Sequence, residues 1–83
     1  MSFFVYIIGC RKKSKLITYV GYTRNLKKRL ELHNKGKGAK FTRGRTWKVM
    51  YFEKYKAKKE AILREYYIKK NRKFRNLIKK EFK

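Results

Sequence analysis

Residues 3–8 are apolar on both faces of an extended chain, with Val5 and Ile7 opposing Phe4, Tyr6 and Ile8. A short run of this kind predicts a central strand covered on both sides. Residues 11–15 interrupt it with charge around Ser14 and predict a hairpin loop. A second strand, rich in β-branched and aromatic residues, follows over 16–22. Gly21, near its end, marks a close backbone approach or a bulge. Leu26, Arg29, Leu30 and His33 then recur at helical spacing, with Thr23 or Asn25 as N-cap and Gly36 just past the end. A basic, glycine-bearing loop spans 36–46. Residues 47–55 alternate as a third strand, placing Trp47, Val49, Tyr51 and Tyr55 on one face. Good helix formers predict a second helix over 57–70. A third covers about 72–82, with Phe74, Leu77, Ile78 and Phe82 as its apolar stripe. The order strand, strand, helix, strand, helix, helix gives an α+β fold, a small three-stranded antiparallel sheet flanked by helices.

Several polar residues stand where that pattern expects apolar ones. Arg29 and His33 share the inward stripe of the first helix, one turn apart. Either they sit at its edge and reach outward, or they present a cation and an imidazole together beside the sheet. In the second helix, Glu65 projects about 40° from Ala61 and about 60° from Ile68 or Ile62, inside the apolar arc. Glu60 falls outside it. A carboxylate among apolar neighbours needs a cationic partner or a metal, and the many Lys and Arg supply the first reading. Tyr6 and Tyr19 approach each other across the ladder if the first two strands form a hairpin. Strand tyrosines ordinarily pack and hydrogen-bond through the hydroxyl.

Composition narrows the chemistry. The 83 residues suit one domain, spanning 1–83, with a modest core. Lys and Arg total 27 against 5 acids, for a formal charge of +22. Every acid is a Glu, at 31, 53, 60, 65 and 81. A hydrophobic share of 42%, with 17% aromatic, argues against a disordered basic tail. Cys10 is the only cysteine, which excludes an internal disulfide and fits a reducing compartment such as the cytoplasm. One Cys and His33 do not make a structural zinc site. Scattered glutamates argue against a two-metal nuclease, and the absence of Asp excludes a Ser-His-Asp triad. The apolar run over 3–10 is too short to span a bilayer, and its charges follow it, unlike those of a signal peptide. The charge calls for a polyanion, and apolar residues spread over several segments point to nucleic acid rather than a membrane surface.

Phe4-Val5-Tyr6 followed by Tyr19-Val20-Gly21 resembles the paired motif of the GIY-YIG endonuclease domain. Gly21-Tyr22-Thr23, Leu26, Arg29, Leu30 and His33 continue the likeness. The stretches 36–44 and 65–70 are similar to small stand-alone bacterial members, predicted endonucleases akin to the repair-type catalytic domain. Phe4 stands where the family motif has its first Gly, and Val20 replaces Ile. Asn71 and Asn76 are both available as counterparts of the family's late Asn. The resemblance implies a metal-dependent DNA endonuclease with a single Mg²⁺ or Mn²⁺ on Glu65, working in DNA repair or recombination. It implies Tyr6 as general base, Tyr19 and His33 in positioning or proton transfer, and Arg29 on the phosphate. Guanidinium chemistry suits that last role. A tyrosine base has an ordinary pKa near 10, and nearby cations such as Arg29 are expected to lower it. Counting carboxylates agrees independently with one metal, since Glu65 is the one Glu expected to face inward.

Lys35, Lys37, Lys40, Arg43 and Arg45 of the basic loop are expected to track phosphates of DNA, branched or damaged DNA included, with RNA left open. So small a chain leaves specificity to a partner protein. A non-catalytic nucleic-acid-binding module on the same fold is the alternative, and a ribosome-associated basic protein is a third reading.

Overall fold

The computed structural model describes residues 2–82. Its elements follow the expected order: β1 (Phe3–Lys12), β2 (Lys15–Thr23), α1 (Leu26–Asn34), β3 (Lys48–Tyr55), α2 (Lys58–Lys70) and α3 (Arg72–Glu81). The strands form one antiparallel sheet in the order β2-β1-β3, with β1 central. Burial is continuous from Val5 to Cys10, as two-sided apolar character requires.

Val5 and Ile7 join Val20, Ala61 and Ile68 in a core beneath α2 and α3. Tyr6, Ile8 and Cys10 join Trp47 in a second core beneath α1. The sheet is thus the middle layer of three.

The hairpin is tighter than expected. β1 and β2 pair from Phe4↔Thr23 out to Lys12↔Lys15, leaving Lys13 and Ser14 as the turn. Charged side chains on a solvated protrusion do not prevent the backbone ladder from continuing. Lys13 takes a φ of 59° to close the turn.

The third strand corrects the expected face. Ile7 pairs with Tyr51, but Ile8 pairs with Val49, so Met50 is an extra residue in β3. Such a bulge shifts alternation by one position. Trp47 and Val49 therefore pack in the α1 layer, while Tyr51 and Tyr55 pack in the α2–α3 layer.

Asn25 caps α1, its side chain accepting from the Lys28 N–H at 3.0 Å. At the other end Gly36 takes a φ of 78°. There the Gly36 N–H bonds the His33 carbonyl at 3.1 Å and the Lys37 N–H bonds that of Leu32 at 2.8 Å. This pair of bonds satisfies the helix's last carbonyls as the chain turns back.

In α2 the buried stripe is Ala61 and Ile68, flanked by half-buried Arg64 and Glu65, and Ile62 is exposed. The expected arc was centred too far toward Ile62, because Glu53 on β3 draws Arg64 inward. In α3, Phe74 and Ile78 pack on the core and Leu77 faces solvent. Among the described residues no helix is long and apolar enough to cross a membrane.

Candidate functional site

A cleft of about 500 Å³ opens beside the C-terminal half of edge strand β2. Tyr6, Tyr19, Arg29 and Glu65 line it together with Tyr22 and Lys58. Tyr6 and Tyr19 come from the α1 side of the sheet and Glu65 from the α2 side. Gly21 permits that meeting. It is the ladder partner of Tyr6, and a Cβ there would overlap the Tyr6 hydroxyl. The bare backbone is the close approach that the sequence pattern suggested. Tyr6 and Tyr19 share a face but are diagonal neighbours, since Tyr19 pairs with Ile8.

His33 lies beneath the cleft, 1% exposed. Its Nε2 is 2.8 Å from the Tyr6 hydroxyl and its Nδ1 is 2.9 Å from Thr42 Oγ1. The ring meets Tyr19 and Tyr6 edge to face, with centroids 5.2 and 5.8 Å away. Gly38 lets the loop close over it, because a Cβ at that position would strike the imidazole. Of the two readings of the α1 stripe, the inward one holds: His33 is core and Arg29 lines the cleft.

The electrostatics correct one expectation. Burial pushes the Tyr6 phenol well above its ordinary value, and Arg29 opposes this without overcoming it. Removing a phenolate from water costs more than one neighbouring cation returns here. Burial also pushes His33 down, and Arg29 adds to that effect. The resting pair is therefore neutral phenol and neutral imidazole.

Glu65 has a side chain 18% exposed, with Lys69 Nζ at 3.6 Å one turn away. It is not the only inward carboxylate. Glu53, on β3, is 16% exposed. Burial raises its pKa, but hydrogen bonds from Arg64, Tyr51 and Tyr55 outweigh this and hold the carboxyl at about 2. Arg64 donates through Nε at 2.7 Å and Nη2 at 2.9 Å, and both tyrosine hydroxyls also donate. Glu53 is thereby saturated as an acceptor, whereas Glu65 keeps spare acceptor capacity toward the cleft. Among the described residues no group of three His, Cys, Asp or Glu could cage a metal ion. The donor set fits a hard, mostly hydrated cation on one carboxylate.

The basic loop divides. Lys40, Arg43 and Arg45 line a second cleft of about 540 Å³ with Arg11, Lys12 and Phe41. Lys35 and Lys37 line neither cleft. Arg45 donates to the Phe41 carbonyl at 3.0 Å and lies 5.3 Å over its ring. Phe41 in turn stacks on Tyr19, centroids 6.1 Å apart, so the two clefts adjoin.

Thr42, Gly38 and Asn34 have structural roles that no periodicity in the sequence indicates. Thr42 is fully buried and ends the chain of bonds from Tyr6. Asn34 accepts from the Trp47 N–H at 2.6 Å and donates to the Trp47 carbonyl at 3.2 Å, tying α1 to the start of β3. Gly38 and Thr42 both lie in the stretch 36–44 that resembles the small stand-alone family members, but no periodicity gives either a contact with His33. Neither Asn71 nor Asn76 lines the first cleft. Asn71 caps α3 through the Phe74 N–H at 3.0 Å.

The sequence model of the GIY-YIG catalytic domain matches residues 2–79. The chain is 53% identical over 68 residues to the UPF0213 protein CPE1444 of Clostridium perfringens, covering 81% of this chain and 70% of that one. It is 48% identical over 80 residues to the UPF0213 protein OB0043 of Oceanobacillus iheyensis, covering 95% and 90%. The solution structure of the UPF0213 protein BH0048 from Bacillus halodurans superposes with a TM-score of 0.52 at 36% identity, over 95% of this chain and 84% of that one.

Proposed function

The chain belongs to the GIY-YIG catalytic-domain family, and from that premise we propose that it is a DNA endonuclease hydrolysing phosphodiester bonds at a single-metal site. The observation that carries the reading is the convergence of Tyr6, Tyr19, Arg29 and Glu65 on one cleft, with His33 bonded to Tyr6. Arg29 binds the non-bridging oxygens of the scissile phosphate, where a permanent planar cation gains as charge develops. Glu65 holds Mg²⁺ or Mn²⁺, which when bound supplies Lewis-acid neutralisation of the phosphoryl group. Tyr6 takes a proton from the attacking water, and Tyr19 packs against His33 to keep the imidazole in place. Burial opposes a free Tyr6 phenolate, so His33 must share the proton.

Residues 1–83 act as one nuclease unit in this reading. DNA lies across both clefts, with Lys40 and Arg43 on its backbone and Lys35 and Lys37 at the periphery. A role in DNA repair or recombination in the cytoplasm, on branched or damaged DNA and with a specificity partner, is the setting that follows.

The test is nicking of supercoiled, branched and single-stranded DNA with Mg²⁺, with Mn²⁺ and with chelator. Metal-dependent nicking is expected, falling by at least about 100-fold in Arg29→Ala and Glu65→Ala while binding changes little. Equal nicking by Glu65→Ala would place the activity elsewhere. Binding without cleavage on every substrate would favour the non-catalytic module.

A further inference from the structure

Three buried groups run in series from the cleft into the basic loop: Tyr6 at 2% exposure, His33 at 1% and Thr42 at 0%. Each imidazole nitrogen has one partner, the Tyr6 hydroxyl at Nε2 and the Thr42 hydroxyl at Nδ1. The hydroxyl of Thr42 has one proton to give. The Ala39 carbonyl, 3.0 Å from Thr42 Oγ1, can only accept, so that proton is committed there. Thr42 therefore meets His33 as an acceptor, and the ring must carry its hydrogen on Nδ1. A neutral imidazole has one N–H, which leaves Nε2 bare. The proton in the 2.8 Å contact is then the phenol's.

We propose that Thr42 is a positioning residue: by accepting from Nδ1 it commits His33 to the tautomer whose bare Nε2 receives the Tyr6 proton. The inference rests on the nuclease reading of the cleft and assigns the direction of its proton path. In the hydrolytic step the Tyr6 O–H bond breaks and an Nε2–H bond forms. The phenolate oxygen takes a proton from the attacking water. That water's oxygen bonds to phosphorus as the bond to the leaving oxygen breaks. The leaving alkoxide then takes up, through solvent, the proton that His33 holds, which restores the neutral ring. Throughout, Nδ1–H stays on Thr42.

The arrangement also links binding to chemistry. Arg29 disfavours a second positive charge on His33, and a phosphate anion on Arg29 offsets that repulsion. Thr42 belongs to the segment that carries Lys40 and Arg43, so the loop that faces the second cleft with those cations also holds the imidazole's tautomer through buried Thr42.

His33 is the only histidine, so its nitrogens are unambiguous in a long-range ¹⁵N–¹H correlation spectrum. The wild-type chain should show a protonated Nδ1 and a bare Nε2. Thr42→Val should shift the ring toward Nε2–H and lower kcat for nicking by about 100-fold, within the range of positioned acid–base groups, at unchanged KM. Thr42→Ser should restore both the tautomer and the rate. A wild-type Nε2–H tautomer would overturn the proposal, as would a Thr42→Val ring that keeps its proton on Nδ1. The spectrum needs no cleavage. A bare Nε2 in a chain that nicks no substrate supports the tautomer assignment and defeats only the nuclease reading.

Discussion

A buried histidine and a buried phenol facing each other form a resting pair with no charge, and this has a cost in acid. Burial holds His33 below its ordinary value of 6.5. As pH falls past that value the unfolded chain takes up a proton that the folded chain refuses, so stability declines. Glu53 adds a lower window, because its folded pKa of about 2 lies below the ordinary 4.5. Its contribution is present above 4.5 and is lost as pH falls toward 2. Urea midpoints measured from pH 8 to pH 3 should fall first below about 6.5 and again below 4.5. A His33→Gln variant should lack the first decline and keep the second. Spacing alone put Arg29, His33 and Glu65 on inward stripes and Tyr6 in a central strand, and the resemblance to the GIY-YIG motif singled them out as a set. The contacts of Thr42 and Gly38 with His33 were not legible, because loop residues have no period that fixes which way they face. The sign of the Tyr6 shift was also hidden, since desolvation depends on how deeply the fold encloses the ring.

Two joints between elements place these residues. The bulge at Met50 lets β3 serve both layers, sending Val49 toward α1 and Tyr51 toward α3. Alternation read along residues 47–55 assigns one face throughout, and a single extra residue reverses it midway. The second joint is Asn34, whose amide satisfies both backbone groups of Trp47 across 13 positions. Asn34→Ala leaves that N–H and carbonyl without their partner beside a Trp that is 1% exposed. The expected loss is about 1–3 kcal/mol. Trp47 is the only tryptophan, so the shift in midpoint is readable by its fluorescence during denaturant unfolding. An unchanged midpoint would mean that the Asn34 bonds are replaced by water at no cost.

For the whole molecule, +22 is distributed over two adjoining clefts and a periphery. Lys40 and Arg43 line the second cleft, whereas Arg45 is engaged with Phe41. If Lys40 and Arg43 each neutralise one phosphate of duplex DNA, Lys40→Gln and Arg43→Gln should each flatten the plot of log affinity against log salt by about 0.9. Lys35→Gln and Lys37→Gln should change that slope less. Fluorescence anisotropy across a salt series checks both, and equal slopes in all four variants would contradict the division of the loop. The sequence by itself determined the element order, the two-sided central strand and the net charge of +22. Those follow from periodicity and counting, which are properties of the chain. Only the tertiary structure decided which inward glutamate keeps acceptor capacity toward the cleft, because Glu53 is saturated by Arg64, Tyr51 and Tyr55 while Glu65, among the described residues, has Lys69 alone within reach. It alone also decided that the phenol is raised and that a loop threonine faces the histidine, because desolvation and hydrogen-bond direction arise only when distant segments enclose one another.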